Sequence, residues 1–191
     1  MADRKPPELQ ALFDVLAQHQ VQYVVVGSTA AMLHGVEVHP RDLDIAPALN
    51  ESNLLRLAAA LANIDARPDP DGPFGDWHVE TDGEQRWVER EPLPGEREKR
   101  VNWHPDATDP SSFDHLLVSR HGSIDVVPVV TGTYDDLIMR ADSVHAFGHA
   151  LRVAAVGDLL ATLTVPRRGK DLARVRALRR IQRAAMSGGA S

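Results

Sequence analysis

The chain contains no cysteine. Disulfides, thiolate zinc sites and cysteine nucleophiles are therefore excluded. No apolar run approaches the length of a membrane span. The opening MADRKPPELQ lacks the apolar core of a signal peptide. The expectation is a cytoplasmic protein with no membrane partner. Two catalytic spacings are missing as well. No H-x-x-x-H falls on an expected helix, so the nine histidines do not read as a zinc site. No G-x-S-x-G elbow surrounds Ser28, which excludes a hydrolase nucleophile of that type. His145 and His149 flank an expected turn and read as surface residues. His39 is the one histidine close to the acids described below.

What the chain does have is enough for a sizeable core. Its 191 residues are 43% apolar and 25% charged, which suits one globular domain. The net charge of −6 is unevenly spread. Residues 166–183 hold eight Arg or Lys against one Asp, so that segment is about +7 and the rest about −13. A basic end on an acidic body fits a polyanionic partner; a solvated basic helix facing the protein's own acidic surface fits equally well.

Periodicity predicts the elements. Leu9, Leu12, Phe13 and Leu16 mark an amphipathic helix over 7–19, started by Pro6 and Pro7. Residues 22–26 are β-branched and read as a buried strand. Gly27-Ser28 turns the chain into a short helix over 29–34, closed by Gly35. Residues 42–46 form a second strand. Residues 51–63 form a helix capped by Asn50 or Ser52. The stretch 65–112 is rich in Pro, Gly, Asp and Glu and holds all three tryptophans. Within it, WHVE and QRWVE around TDGE predict a hairpin, and the remainder reads as loop. Trp77, Trp87 and Trp103 more readily cover a core under such an insert than stack on bases. Strands follow over 115–119 and 123–130, a helix over 134–141, and a hairpin turning at Gly148. A helix over 156–164 is broken by Pro166, and a basic helix spans 170–186. The expectation is an α+β fold in which a mixed β-sheet is flanked by helices. A domain over 1–165 carries the insert at about 65–112, and a basic C-terminal helix with a short flexible tail covers 166–191.

Three carboxylates interrupt apolar strands. Asp42 and Asp44 alternate with Leu43 and Ile45, so both acids project from one face. Their Cα atoms are then roughly 6–7 Å apart. Two such charges without a cation are costly through desolvation and mutual repulsion. Hard oxygen donors favour Mg²⁺ or Mn²⁺. Asp125, between Ile124 and Val126, repeats the pattern. If its strand neighbours the first, the three acids can hold two metals about 3.5–4 Å apart, suited to in-line attack on a phosphate. The alternatives are an edge strand with solvated acids, or a carboxylate paired with an arginine. The Gly27-Ser28 turn, feeding a helix, offers backbone N–H groups and a hydroxyl to a phosphate, and Gly27 permits close approach.

Gly27-Ser28, Asp42-x-Asp44 and the later Asp125 together resemble the nucleotidyltransferase superfamily of DNA polymerase β type. NLLRLAAAL, GSIDVV, TYDDLIMRA and VGDLLATL…RRGKDLARVRAL resemble its bacterial minimal members. These include the nucleotidyltransferase toxins of type IV toxin–antitoxin systems (the AbiEii and MenT group). The similarity covers most of the chain outside 65–112. It implies a nucleotidyltransferase fold and a Mg²⁺-dependent enzyme, with two ions and an NTP substrate. Such an enzyme transfers a nucleoside monophosphate to an acceptor hydroxyl. It further implies a catalytic and metal-ligand role for Asp42, Asp44 and Asp125, with Asp125 also activating the hydroxyl. Gly27, Ser28, Arg41, Arg168, Lys170 and Asp171 are the nucleotide-binding residues implied. An RNA acceptor, tRNA in particular, and an antitoxin protein are the implied partners. A small-molecule acceptor such as an antibiotic, a protein acceptor, and a non-catalytic binding relative are the alternatives. The chain departs from the family's pattern at Pro40, where Thr is common, and at Leu163, where Lys is common. Arg167, Arg168 or Lys170 would then neutralise the triphosphate.

Overall fold

A computed structural model describes residues 5–79, 85–163 and 169–188. Helix α1 (Leu9–Gln18) turns Leu12, Phe13 and Leu16 inward, as its apolar spacing predicts. Strand β1 (Tyr23–Val25) is short, and Val24 and Val25 are fully buried. The chain enters α2 (Gly27–Leu33) without a loop, two residues earlier than the spacing predicts. Strand β2 (Asp42–Pro47) leads to α3 (Glu51–Asn63). The cap of α3 is Asn50, whose side chain accepts the Asn53 N–H.

Residues 65–112 are more ordered than a hairpin in a loop. They hold β3 (Arg67–Pro68), β4 (Phe74–Val79), β5 (Gln85–Arg90), α4 (Glu96–Val101) and a 3-10 turn at Pro110–Phe113. The β4–β5 hairpin is a separate two-stranded sheet in which Trp77 faces Trp87 in register. Its TDGE turn lies outside the described residues, as do the side chains of both tryptophans. Charge fixes what periodicity misses here. Arg90 donates to both oxygens of Glu96 at 2.8 Å, and Glu96 also accepts the Leu93 N–H. Arg100 donates to the carbonyls of Asp69 and Pro73 and lies 3.7 Å from the Phe74 ring centre. Trp103 packs against the main core, as expected, and donates to the Ser112 carbonyl.

Strands β6 (His115–Ser119) and β7 (Gly122–Val126) form a hairpin. Strand β7 ends four residues before the expected boundary: Val127 N–H still reaches the Ile45 carbonyl, but Pro128 has no N–H to continue the ladder. Helix α5 (Tyr134–Ile138) opens with a Thr133–Asp136 capping box. Strands β8 (Asp142–Ala146) and β9 (His149–Val153) turn through Phe147 and Gly148, both at positive φ, the conformation that suits a tight hairpin. His149 pairs with Asp14 rather than standing free at the surface. Helix α6 (Val156–Ala161) is followed by α7 (Gly169–Gly188).

The main sheet has seven strands in the order β3-β6-β7-β2-β1-β9-β8. The β2–β7 and β1–β9 pairs are parallel and the others antiparallel. The architecture is thus α+β, with a mixed sheet flanked by helices. Leu178 of α7 is fully buried and belongs to the same core as α1 and α3. No helix among the described residues is long and apolar enough to cross a membrane.

A buried clamp closes the end of the β1–β2 pair. The Asn53 side chain accepts the Gln22 N–H at 2.7 Å and donates to the Gln22 and Ala48 carbonyls at 2.9 Å. Cutting it back leaves buried backbone groups unpaired. Asn53→Ala should therefore cost about 2–4 kcal/mol of stability in urea unfolding. A loss under about 0.5 kcal/mol, the size of an ordinary surface change, would show that water replaces the clamp.

Candidate active site

The candidate acids sit where two strands run side by side. Strands β2 and β7 are parallel, with Asp44 opposite Asp125 and Asp42 opposite Ser123. Leu43, Ile45, Ile124 and Val126 are fully buried, while all three acids are half-buried on the alternate face. Neighbouring strands lie about 4.8 Å apart, so Asp44 and Asp125 are immediate neighbours. The expectation that their strands adjoin is met.

Helix α2 is locked onto this acid pair. Ser28 N–H donates to Asp44 Oδ2 at 3.2 Å, and Val26 N–H donates to the Asp44 carbonyl at 3.0 Å. The buried Thr29 hydroxyl donates to the Asp42 carbonyl at 3.0 Å. Gly27 adopts φ +61°, and a Cβ there would overlap the Asp44 carboxylate. Glycine is needed at this position for both conformation and space. The Ser28 amide, expected from sequence to offer its N–H to a phosphate, donates to the Asp44 carboxylate in this structure.

Burial raises the proton affinity of two acids. Asp44 is pushed up to about 7, first by burial, then by the charges of Asp42 and Asp125. The Ser28 N–H and the nearby Arg174 oppose that rise. Asp125 is pushed up to about 6 by burial, Asp42 and Asp114.

Of the other expected site residues, the structure describes Arg41 and Asp171. Arg41 and His39 are exposed beside the pair. Arg168 lies outside the described residues, as does the Lys170 side chain. Asp171 is half-buried in the first turn of α7. Leu163 packs against the core.

Three neighbours were not picked out by sequence reasoning. Thr29 ties α2 to the Asp42 backbone, and Asp114 adds charge near Asp125. Arg174 is the third. In sequence it belongs to the basic run with Arg176, Arg179 and Arg180, but in the fold it shares the inward stripe of Val175, Leu178 and Ile181 and its charge reaches Asp44. The apolar spacing of Val175 and Leu178 was the available signal.

Among the described residues, no three His, Asp or Glu side chains converge as a ready metal-binding group. The donor chemistry of Asp42, Asp44 and Asp125 still fits a hard divalent cation. All are carboxylates on one face, and two carry a raised proton affinity that a cation would relieve. Asp44 Oδ2 accepts the Ser28 N–H. Comparison with models of protein families gives no match, and no curated protein matches the chain.

A raised acid pKa favours the protonated fold. Its stability contribution is full below the unfolded value of about 3.9 and is lost as pH rises through the folded value. With a chelator present, Asp44 and Asp125 therefore destabilise the protein progressively as pH rises toward 7. His115, whose pKa is lowered by burial, works in the opposite sense. The difference between wild type and Asp44→Asn cancels its contribution. Asp44→Asn should raise Tm by a few degrees at pH 8, and by little at pH 4.5. Thermal melts showing an equal effect at both pH values would refute the electrostatic account.

Proposed function

We propose that the chain is a nucleotidyltransferase of DNA polymerase β type in fold and chemistry. It transfers a nucleoside monophosphate from an NTP to an acceptor hydroxyl. The observation that carries this is the parallel register of Asp44 with Asp125, with Asp42 on the same face and the Gly27-Ser28 turn against it. Asp42, Asp44 and Asp125 would hold Mg²⁺, two ions by the number of donors. Mg²⁺ bound there supplies charge neutralisation to the phosphates and acidity to the attacking hydroxyl. The acceptor oxygen bonds to the α-phosphorus as the bond to pyrophosphate breaks in line. The hydroxyl proton would pass to the Asp125 carboxylate, which acts as general base.

The acceptor we favour is RNA, tRNA by resemblance. Arg176, Arg179 and Arg183 are exposed on α7 and give that helix a cationic outer face. The toxin role, with an antitoxin as protein partner, is supported by the resemblance alone.

Label transfer from α-³²P NTPs to total tRNA tests the chemistry. Asp42→Asn should abolish transfer, and Asp125→Asn should lower it at least about a hundredfold. Full activity in both sinks the assignment. Replacing Arg176, Arg179 and Arg183 with Gln tests the acceptor. Transfer to RNA should weaken and its salt dependence should flatten; unchanged transfer would point to a small-molecule or protein acceptor.

A further inference from the structure

A groove of about 890 Å³ runs between the segment after α2 (Gly35, Val36, Glu37, Val38) and the inner side of α7. Ala177 and Ile181 supply apolar surface on the α7 wall, and Arg174 and Arg180 supply charge. We propose that this groove is the mononucleotide subsite and that Arg174 is its phosphate-binding residue. The proposal rests on the nucleotidyltransferase reading and names a residue that the resemblance did not.

Four observations converge on Arg174. It lies on the inward stripe of α7, next to buried Val175 and one turn before Leu178. Its Nε is buried without a hydrogen-bond partner among the described residues. A guanidinium with an idle buried N–H is short of an acceptor, and phosphate oxygens match its planar fork. It lines the groove, and its charge is felt at Asp44. Finally, Leu163, where the resemblance would have a lysine, packs against the core, and Arg174 and Arg180 are the cations that line the groove. Arg180 is six residues further on, roughly 9 Å along the axis, and can hold a second anionic group.

Size and charge favour one nucleotide over a strand. The volume falls within the range of roughly 300–1,000 Å³ typical of small-ligand sites. Val36, Val38, Ala177 and Ile181 can cover a nucleoside, while Glu37 on the facing wall would repel a continuing phosphate backbone.

Calorimetric titration of the full chain with each Mg–NTP is the test. Arg174→Gln should weaken binding about tenfold or more, and Arg174→Lys should recover only part of it. Ala177→Trp, which fills the groove, should also weaken binding. Lys99→Gln, an equal charge loss outside the groove, should leave affinity unchanged. Thermal melts of each variant report folding, and Arg174→Lys keeps the test valid if a bulkier change unfolds the chain. Unchanged nucleotide affinity in Arg174→Gln overturns the proposal, even if wild-type protein transfers label. Weakened affinity in Arg174→Gln, with no transfer by wild type to any acceptor, upholds the subsite and overturns the transferase reading. Wild-type protein that binds none of the four NTPs overturns both.

Discussion

The structure around the acids depends on the parallel pairing of β2 and β7. That register places Asp44 against Asp125 and alternates them with fully buried Leu43, Ile45, Ile124 and Val126. The apolar residues fix the register, since a one-residue slip would send the carboxylates into the core. The acids are thus held together by the burial of their neighbours, against their own repulsion. Burial first, and the neighbouring charges second, raise their proton affinities, a cost that the hydrophobic packing offsets.

Helix α2 answers part of that strain. Because Gly27 has no Cβ, its backbone lies directly against Asp44, and the Ser28 N–H meets the carboxylate. Thr29 fixes the neighbouring strand backbone. The charge of Arg174 on helix α7 answers another part, on a stripe drawn inward by the burial of Val175 and Leu178. The basic C-terminal segment therefore has two faces. One carries Arg174, whose charge is felt at Asp44, and the other presents Arg176, Arg179 and Arg183 to solvent.

The parts of the fold with strong periodicity were legible. Helices α1 and α3, the β6 strand and the β8–β9 hairpin follow from apolar spacing and turn residues, and Asn50 caps as its type suggests. The insert was only half legible. Its hairpin follows from alternation, but α4 is held by Arg90–Glu96 and by its own Arg100, which donates to carbonyls of a distant turn. Such charged contacts leave no periodic trace. The early end of β7 could have been read at Pro128.

By itself the sequence determined that Asp42 and Asp44 share a face and that Asp125 repeats their setting, because strand alternation is a local property of the chain. It determined equally that a glycine and a serine stand where β1 turns into a helix. The tertiary structure alone decided that Asp125 lies beside Asp44, because strand order is set by long-range packing. It alone decided that the Ser28 amide meets a carboxylate, that Thr29 and Asp114 border the site, and that Arg174 lies on the inward stripe of α7, where its charge is felt at Asp44, while Arg176, Arg179 and Arg183 are exposed. Which side of a basic helix is buried depends on the surface it meets, and here that surface joins the neighbouring α6 to the distant segment 35–38.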